Sequence, residues 1–131
     1  MYVLDTNTLI YFFKGEGRVA DRLLATPRTE VAFPSIVLFE LETGIAKSAA
    51  PRKRRAQLDE AARSFEVLPF GAREARTAAR LRARLESLGA PIGPYDLLIG
   101  ATASSHGATL VTRNIREFSR IDGLPVESWF D

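Results

Sequence analysis

The sequence predicts an α/β domain in three layers: helices on both faces of a mostly parallel central sheet of four to five strands. Short apolar or β-branched runs recur along the chain, at Tyr2-Val3-Leu4, Val31-Ala32-Phe33, Glu66-Val67-Leu68 and Thr109 to Thr112. Longer stretches with helical spacing of apolar residues separate them. Gly and Pro stand at the ends of these stretches, where helices stop or start. Strands joined through helices need right-handed crossovers, which make them parallel and cover the sheet on both sides.

In order, a strand at Tyr2–Leu4 leads to a short helix from Asn7 to Lys14, stopped by Gly15 and Gly17. A second helix spans Arg18 to Ala25. The strand at Val31 ends at Pro34, and Ser35 is placed to cap a helix to about Lys47, since a serine oxygen accepts from free first-turn amides. Pro51 suits the first turn of a helix to about Phe65. After the Glu66 strand comes the longest helix, Ala72 to Leu88, closed by Gly89. The loop GAPIGP precedes a helix from Pro94 to about His106, ended by Gly107. The Thr109 strand, a helical turn at Asn114–Phe118 and an edge strand at Val126–Glu127 complete the pattern. With 131 residues and neither repeats nor a linker, one domain over residues 1 to 131 is expected.

Hydrophobic residues make up 46% and charged residues 26%, the balance of a globular chain. No apolar run nears the roughly 18 residues of a membrane span, and no basic, then apolar leader opens the chain. A cytoplasmic protein without membrane contact is therefore expected. Cysteine is absent, which excludes disulfides and thiolate metal sites. Net charge is only +2, but Arg52 to Arg84 holds ten Lys or Arg against four acids, so an anionic partner would land on that middle third.

Ligands of open parallel sheets bind beyond the carboxyl ends of the strands, so acids just after strands are the candidates. Asp5 follows the first strand directly, and Glu40 lies on the second turn of the helix after Val31. Asp96 begins the helix after GAPIGP, and Thr112, Asn114 and Glu117 follow the Thr109 strand. Each has a plainer reading. Asp5, Thr6 or Asn7 could cap the first helix, Asp96 sits where the helix dipole favours a carboxylate, and Asn114 to Glu117 has capping-box spacing. In SIVLFELETG apolar residues surround the helix, so periodicity leaves open whether Glu40 or Glu42 faces inward.

Three or four carboxylates without Cys or a second His select hard cations, Mg²⁺ or Mn²⁺, and such sites serve phosphoryl chemistry. The single His106 argues against a metal-free ribonuclease with two imidazoles and reads as a helix C-terminal cap.

Four motifs in register, LDTNTLI, ELETG, IGPYDLLIGATA and LVTRNIREFSRIDGLPVESW, resemble the PIN-domain ribonucleases, and within them the VapC toxins of type II toxin-antitoxin systems. The resemblance spans nearly the whole chain. It implies a PIN-like fold, a Mg²⁺- or Mn²⁺-dependent endoribonuclease, and Asp5, Glu40 and Asp96 as catalytic, metal-binding carboxylates. Where the family often carries a fourth acid this chain has Asn114, and Glu117, one turn on, stands in as the further metal ligand. Thr6, Asn7, Ser35, Thr112 and Asn114 match the family's small polar residues around the ligands. The resemblance also implies a homodimer, inhibition by a cognate VapB-type antitoxin, and an RNA substrate; IAKSAAP and IGPYD are most like the branch that cuts initiator tRNA in its anticodon loop.

Arg73, Arg76, Arg80 and Arg84 recur at helical spacing and form one stripe, which serves either to grip RNA phosphates or as a solvated face. Tyr95, beside Asp96, is the aromatic placed to stack on a base. A different class of function stays open on residues alone, a non-catalytic RNA- or protein-binding module whose acids are caps. A haloacid dehalogenase-type phosphatase would need a second aspartate where Asn7 stands.

Overall fold

Five short strands build the sheet: β1 (Tyr2–Leu4), β2 (Val31–Pro34), β3 (Glu66–Leu68), β4 (Thr109–Val111) and β5 (Val126–Glu127). The computed structural model describes all 131 residues and orders them β3-β2-β1-β4-β5, every pairing parallel. Seven helices join them: α1 (Thr6–Lys14), α2 (Val19–Leu24), α3 (Ser35–Lys47), α4 (Arg52–Ser64), α5 (Ala72–Ser87), α6 (Pro94–Ser105) and α7 (Ile115–Phe118). A 3₁₀ turn at Arg28–Glu30, which periodicity cannot signal, leads into β2.

The chain steps outward from β1 to β2 to β3, then crosses back over β1 to β4 and β5. With right-handed crossovers, α1 to α4 lie on one face and α5 to α7 on the other. The loops leaving β1 and β4 therefore diverge, and a crevice opens between them at the carboxyl edge. Burial follows from this double cover. Val3, Leu4, Phe33, Leu110 and Val111 have no exposed surface, and Trp129 and Phe118 are the large buried side chains from the last segments.

The caps agree with the sequence reading at α1, where Asp5 is one of three candidates, and depart from it at α3 and α7. Asp5 takes the N-cap of α1, its Oδ1 accepting from the Thr8 amide at 2.9 Å, so Thr6 and Asn7 are already helical. Ser35 is the first helical residue of α3 and not its cap; the cap is Pro34, which has no side-chain acceptor. Asn114 sits at the N-cap of α7 without accepting a capping bond, its side-chain amide instead donating to Glu117. Gly15 closes α1 at φ 68°, with the Gly15 and Glu16 amides bonded to Phe12 and Tyr11 carbonyls, an αL ending that glycine adopts without a Cβ penalty.

Candidate active site

Asp5 is only 6% exposed because it leaves β1 at the sheet's carboxyl edge and turns at once into α1. Its amide bonds to the Val111 carbonyl at 3.2 Å, and Thr8, one turn on, bonds its hydroxyl to the same carbonyl at 3.1 Å. Strand and helix thus hold one carboxylate from two directions. Burial raises the Asp5 pKa, outweighing hydrogen bonds from Thr112 and Thr8 that favour the charged form.

The open choice on α3 resolves in favour of Glu40. Glu42 turns outward into a bidentate ion pair with Arg55 of α4, and the Arg55 hydrogen bonds lower its pKa. Glu40 instead accepts a 2.7 Å hydrogen bond from the Thr6 hydroxyl, which brings it beside the first turn of α1.

Asp96 lies in the first turn of α6, and its pKa is raised to about 6 by burial first, then by the charges of Glu117, Asp5 and Glu40. The four acids ride on the segments that leave β1, β2 and β4 and on the first turn of α6. Glu117 accepts from the Gly93 amide at 3.3 Å and from Asn114 Nδ2 at 3.0 Å, so it ties the α6 entry loop to the end of β4. The Asn114 backbone N–H donates to Thr112 Oγ1 at 3.0 Å. Asn7 is exposed on the first turn of α1, and Ser35 half-buried at the start of α3.

None of Asp5, Glu40, Asp96 or Glu117 takes part in any of the chain's ion pairs. Four carboxylates without a counter-charge repel one another, and with their present side-chain placements no three close into a cage around an ion. A hard divalent cation is the counter-charge that this all-oxygen donor set fits.

The arginine stripe of α5 is not uniform. The Arg73 guanidinium bonds to Glu74 at 2.9 Å and to His106 Nε2 at 3.1 Å. Because His106 caps the far end of α6 from Asp96, Arg73 stands away from the acids. Arg84 pairs with Asp122 at 2.8 Å, whereas Arg76 and Arg80 are exposed and outside any ion pair. Tyr95 is 48% exposed and meets Phe39, 50% exposed, edge-on with centroids 5.5 Å apart. These rings belong to the residues next to Asp96 and Glu40. A separate apolar groove runs between α1, α2 and α4, lined by Phe12, Leu23, Leu24, Ala61 and Phe65 among others.

Sequence reasoning missed Arg113, which lies between Thr112 and Asn114. Its guanidinium stacks 3.6 Å from the Phe130 ring centroid. Its place directly after β4 was a signal, but the ring that holds it lies at the other end of the last segment.

This fold is that of the PIN domain, whose family model matches residues 2–124. The tRNA(fMet)-specific endonuclease VapC of Salmonella typhimurium is 36% identical over 128 residues, covering 98% of this chain and 97% of that protein. Ribonuclease VapC2 of Rickettsia felis is 38% identical over 131 residues, covering 98% of each. Among solved structures, VapBC2 from Rickettsia felis bound to a DNA fragment from its promoter superposes with a TM-score of 0.91 at 36% identity, covering 98% of both chains. The chain belongs to the VapC ribonucleases of the PIN-domain family. No helix is long and apolar enough to cross a membrane.

Proposed function

We propose that the chain is the toxin of a type II toxin-antitoxin pair, a Mg²⁺- or Mn²⁺-dependent endoribonuclease held inactive by a VapB-type antitoxin. The observation that carries the reading is the placement of four acids outside any ion pair at the carboxyl edge: Asp5 capping α1 directly after β1, Glu40 bonded to Thr6 of α1, Asp96 in the first turn of α6, and Glu117 bonded to the Gly93 amide at the entry to α6. When bound, the cation supplies a water of lowered pKa and neutralises charge developing on phosphate oxygens.

The chain's own residues do the positioning. Asp5 is fixed by strand and helix, Glu40 is oriented by Thr6, and Asp96 is carried on a loop that Glu117 braces. The P–O3′ bond of an RNA phosphodiester breaks, leaving a 5′-phosphate and a 3′-hydroxyl. Initiator tRNA is the substrate proposed, on the strength of the Salmonella typhimurium relative's name. Two of the most similar solved structures are VapBC complexes, which supports the antitoxin, and the groove between α1, α2 and α4 offers it an apolar surface apart from the acids. Assembly as a homodimer and a cytoplasmic location complete the proposal.

The test incubates the purified chain and its Asp5→Asn, Glu40→Gln and Asp96→Asn variants with a tRNA pool and Mg²⁺. Each variant is expected to lose cleavage while keeping its circular dichroism spectrum, and added antitoxin is expected to stop the parent. Three variants that cut as fast as the parent would refute the carboxylate mechanism and leave the binding-module reading.

A further inference from the structure

A site made of four carboxylates repels the polyanion it has to hold, so cations must stand near it. The arginine stripe of α5 supplies few at the right place, since Arg73 is turned toward His106 and Arg84 toward Asp122. One cation stands on the carboxyl edge itself. Arg113 follows β4 directly, is exposed, and enters no ion pair.

Its guanidinium lies 3.6 Å from the ring centroid of Phe130 and 5.8 Å from that of Tyr11. The two rings meet edge-on at 4.9 Å. Phe130 is itself anchored, its carbonyl accepting from the Arg18 amide at 2.9 Å and its amide donating to Ser128 Oγ at 3.2 Å. Tyr11 comes from the helix after β1, Arg113 from the end of β4 and Phe130 from the segment after β5. Segments that follow three strands thus meet at this group, and Thr112, the residue before Arg113, continues the β1–β4 register opposite Asp5, one strand spacing, roughly 5 Å, away.

A guanidinium stacked on a ring keeps its in-plane N–H groups free, and a phosphate accepts from them in that plane, two at a time. The stack also restricts the arginine's rotamers beforehand, so less freedom is lost on binding. We propose that Arg113 binds a backbone phosphate of the RNA substrate on the β5 side of the carboxylates, with Phe130 and Tyr11 as the platform that presents its guanidinium. The proposal rests on the ribonuclease reading above. It assigns the site a fixed polarity: RNA crosses the sheet edge from the Phe39–Tyr95 side, over the acids, toward β5.

The same stack would also arise if Arg113 merely clamped the C-terminal segment, and the experiment separates the two. Cleavage and metal-free anisotropy of a fluorescein-labelled initiator-tRNA anticodon hairpin are measured across a salt series for the full-length parent, Arg113→Ala, Arg113→Lys and Phe130→Leu. Arg113→Ala is expected to raise KM about tenfold with little change in kcat, as for loss of one charge-assisted bidentate contact. Its plot of log Kd against log salt is expected to flatten by about 0.7, one phosphate contact on single-stranded nucleic acid. Arg113→Lys keeps the salt slope with an intermediate KM, and Phe130→Leu raises KM with the slope unchanged.

An Arg113→Ala protein with lowered Tm but parental KM and salt slope makes the stack a C-terminal clamp and overturns the proposal. A parent that binds the hairpin without cutting it in Mg²⁺ or Mn²⁺ sinks the nuclease reading alone, and the anisotropy slopes still judge Arg113. A parent that neither binds nor cuts overturns both.

Discussion

The Thr6 hydroxyl stands 2.7 Å from Glu40 Oε1, joining the first residue of α1 to the second turn of α3 across the ends of neighbouring strands. The bond uses one carboxylate oxygen and so sets the direction of the other. Thr6→Val keeps the side-chain shape and removes the donor. Groups that orient metal ligands are worth roughly 10- to 100-fold in affinity or activity, so cleavage should fall about tenfold or more, with Mn²⁺ affinity falling alongside. Thr6→Ser should restore both. Calorimetric Mn²⁺ titration with parallel kinetics checks this, and a fully active Thr6→Val protein would show that the bond does not orient a working ligand.

Asp96 gives the metal-free protein a pH dependence with a definite sign. Its folded-state pKa of about 6 lies above its ordinary 3.8, mainly through burial and the charge of Glu117. Between those two values the folded state holds a proton that the unfolded chain has lost, so this group's contribution to stability falls as pH rises through that window. Asp5, also shifted upward, acts in the same direction. A cation needs both groups ionised and reverses the trend. Thermal melts should show the metal-free protein losing stability from pH 4 to 6.5, about the span of the shift, and Mn²⁺ raising Tm more at pH 7.5 than at pH 5.

Much of the fold was legible because local chemistry and topology agree. Tyr2–Leu4, Val31, Glu66 and Thr109 begin strands where apolar runs meet punctuation, and even the two-residue edge strand at Val126 lies where expected. Caps were less legible, since which side-chain oxygen meets a free amide depends on angles that spacing does not carry. Spacing left Asp5, Thr6 and Asn7 all open as the α1 cap, which Asp5 takes, and the Ser35 cap did not form. For the acids, periodicity could not choose between Glu40 and Glu42, because the choice is made by Thr6 and Arg55, residues distant in sequence. The arginine stripe was visible as spacing, but its counter-charges, Asp122 and Glu74, were not.

Gly17 ties the same edge to chain conformation. Its φ is 62°, and a Cβ there would meet the Phe130 carbonyl oxygen at 2.6 Å and ring carbons at 2.7 and 2.8 Å. Gly17→Ala therefore combines an αL penalty of about 1 to 2 kcal/mol with a clash against backbone, for a total of about 2 to 4 kcal/mol. Gly15→Ala, with φ 68° but open space around it, should cost only the first part. Urea unfolding of the two variants measures the difference, and equal losses would mean that Phe130 can move aside freely.

Glu117 is the acid whose role the geometry divides between bracing and charge. Its two oxygens accept from Gly93 and Asn114, while its charge is the largest electrostatic contribution raising Asp96 after burial. Glu117→Gln keeps one acceptor oxygen and removes the charge; Glu117→Ala removes both. In the metal-free protein the charge effect predicts a lower Asp96 pKa in either variant, read from the carboxyl carbon in an NMR titration. If Glu117 mainly braces the α6 entry loop, Glu117→Gln retains most of the cleavage and Glu117→Ala loses about tenfold, the scale of a lost supporting bond around a metal site. If its carboxylate binds metal, the two variants lose activity equally and both need more Mg²⁺ to saturate. Since both oxygens already carry protein hydrogen bonds, the unequal loss is expected.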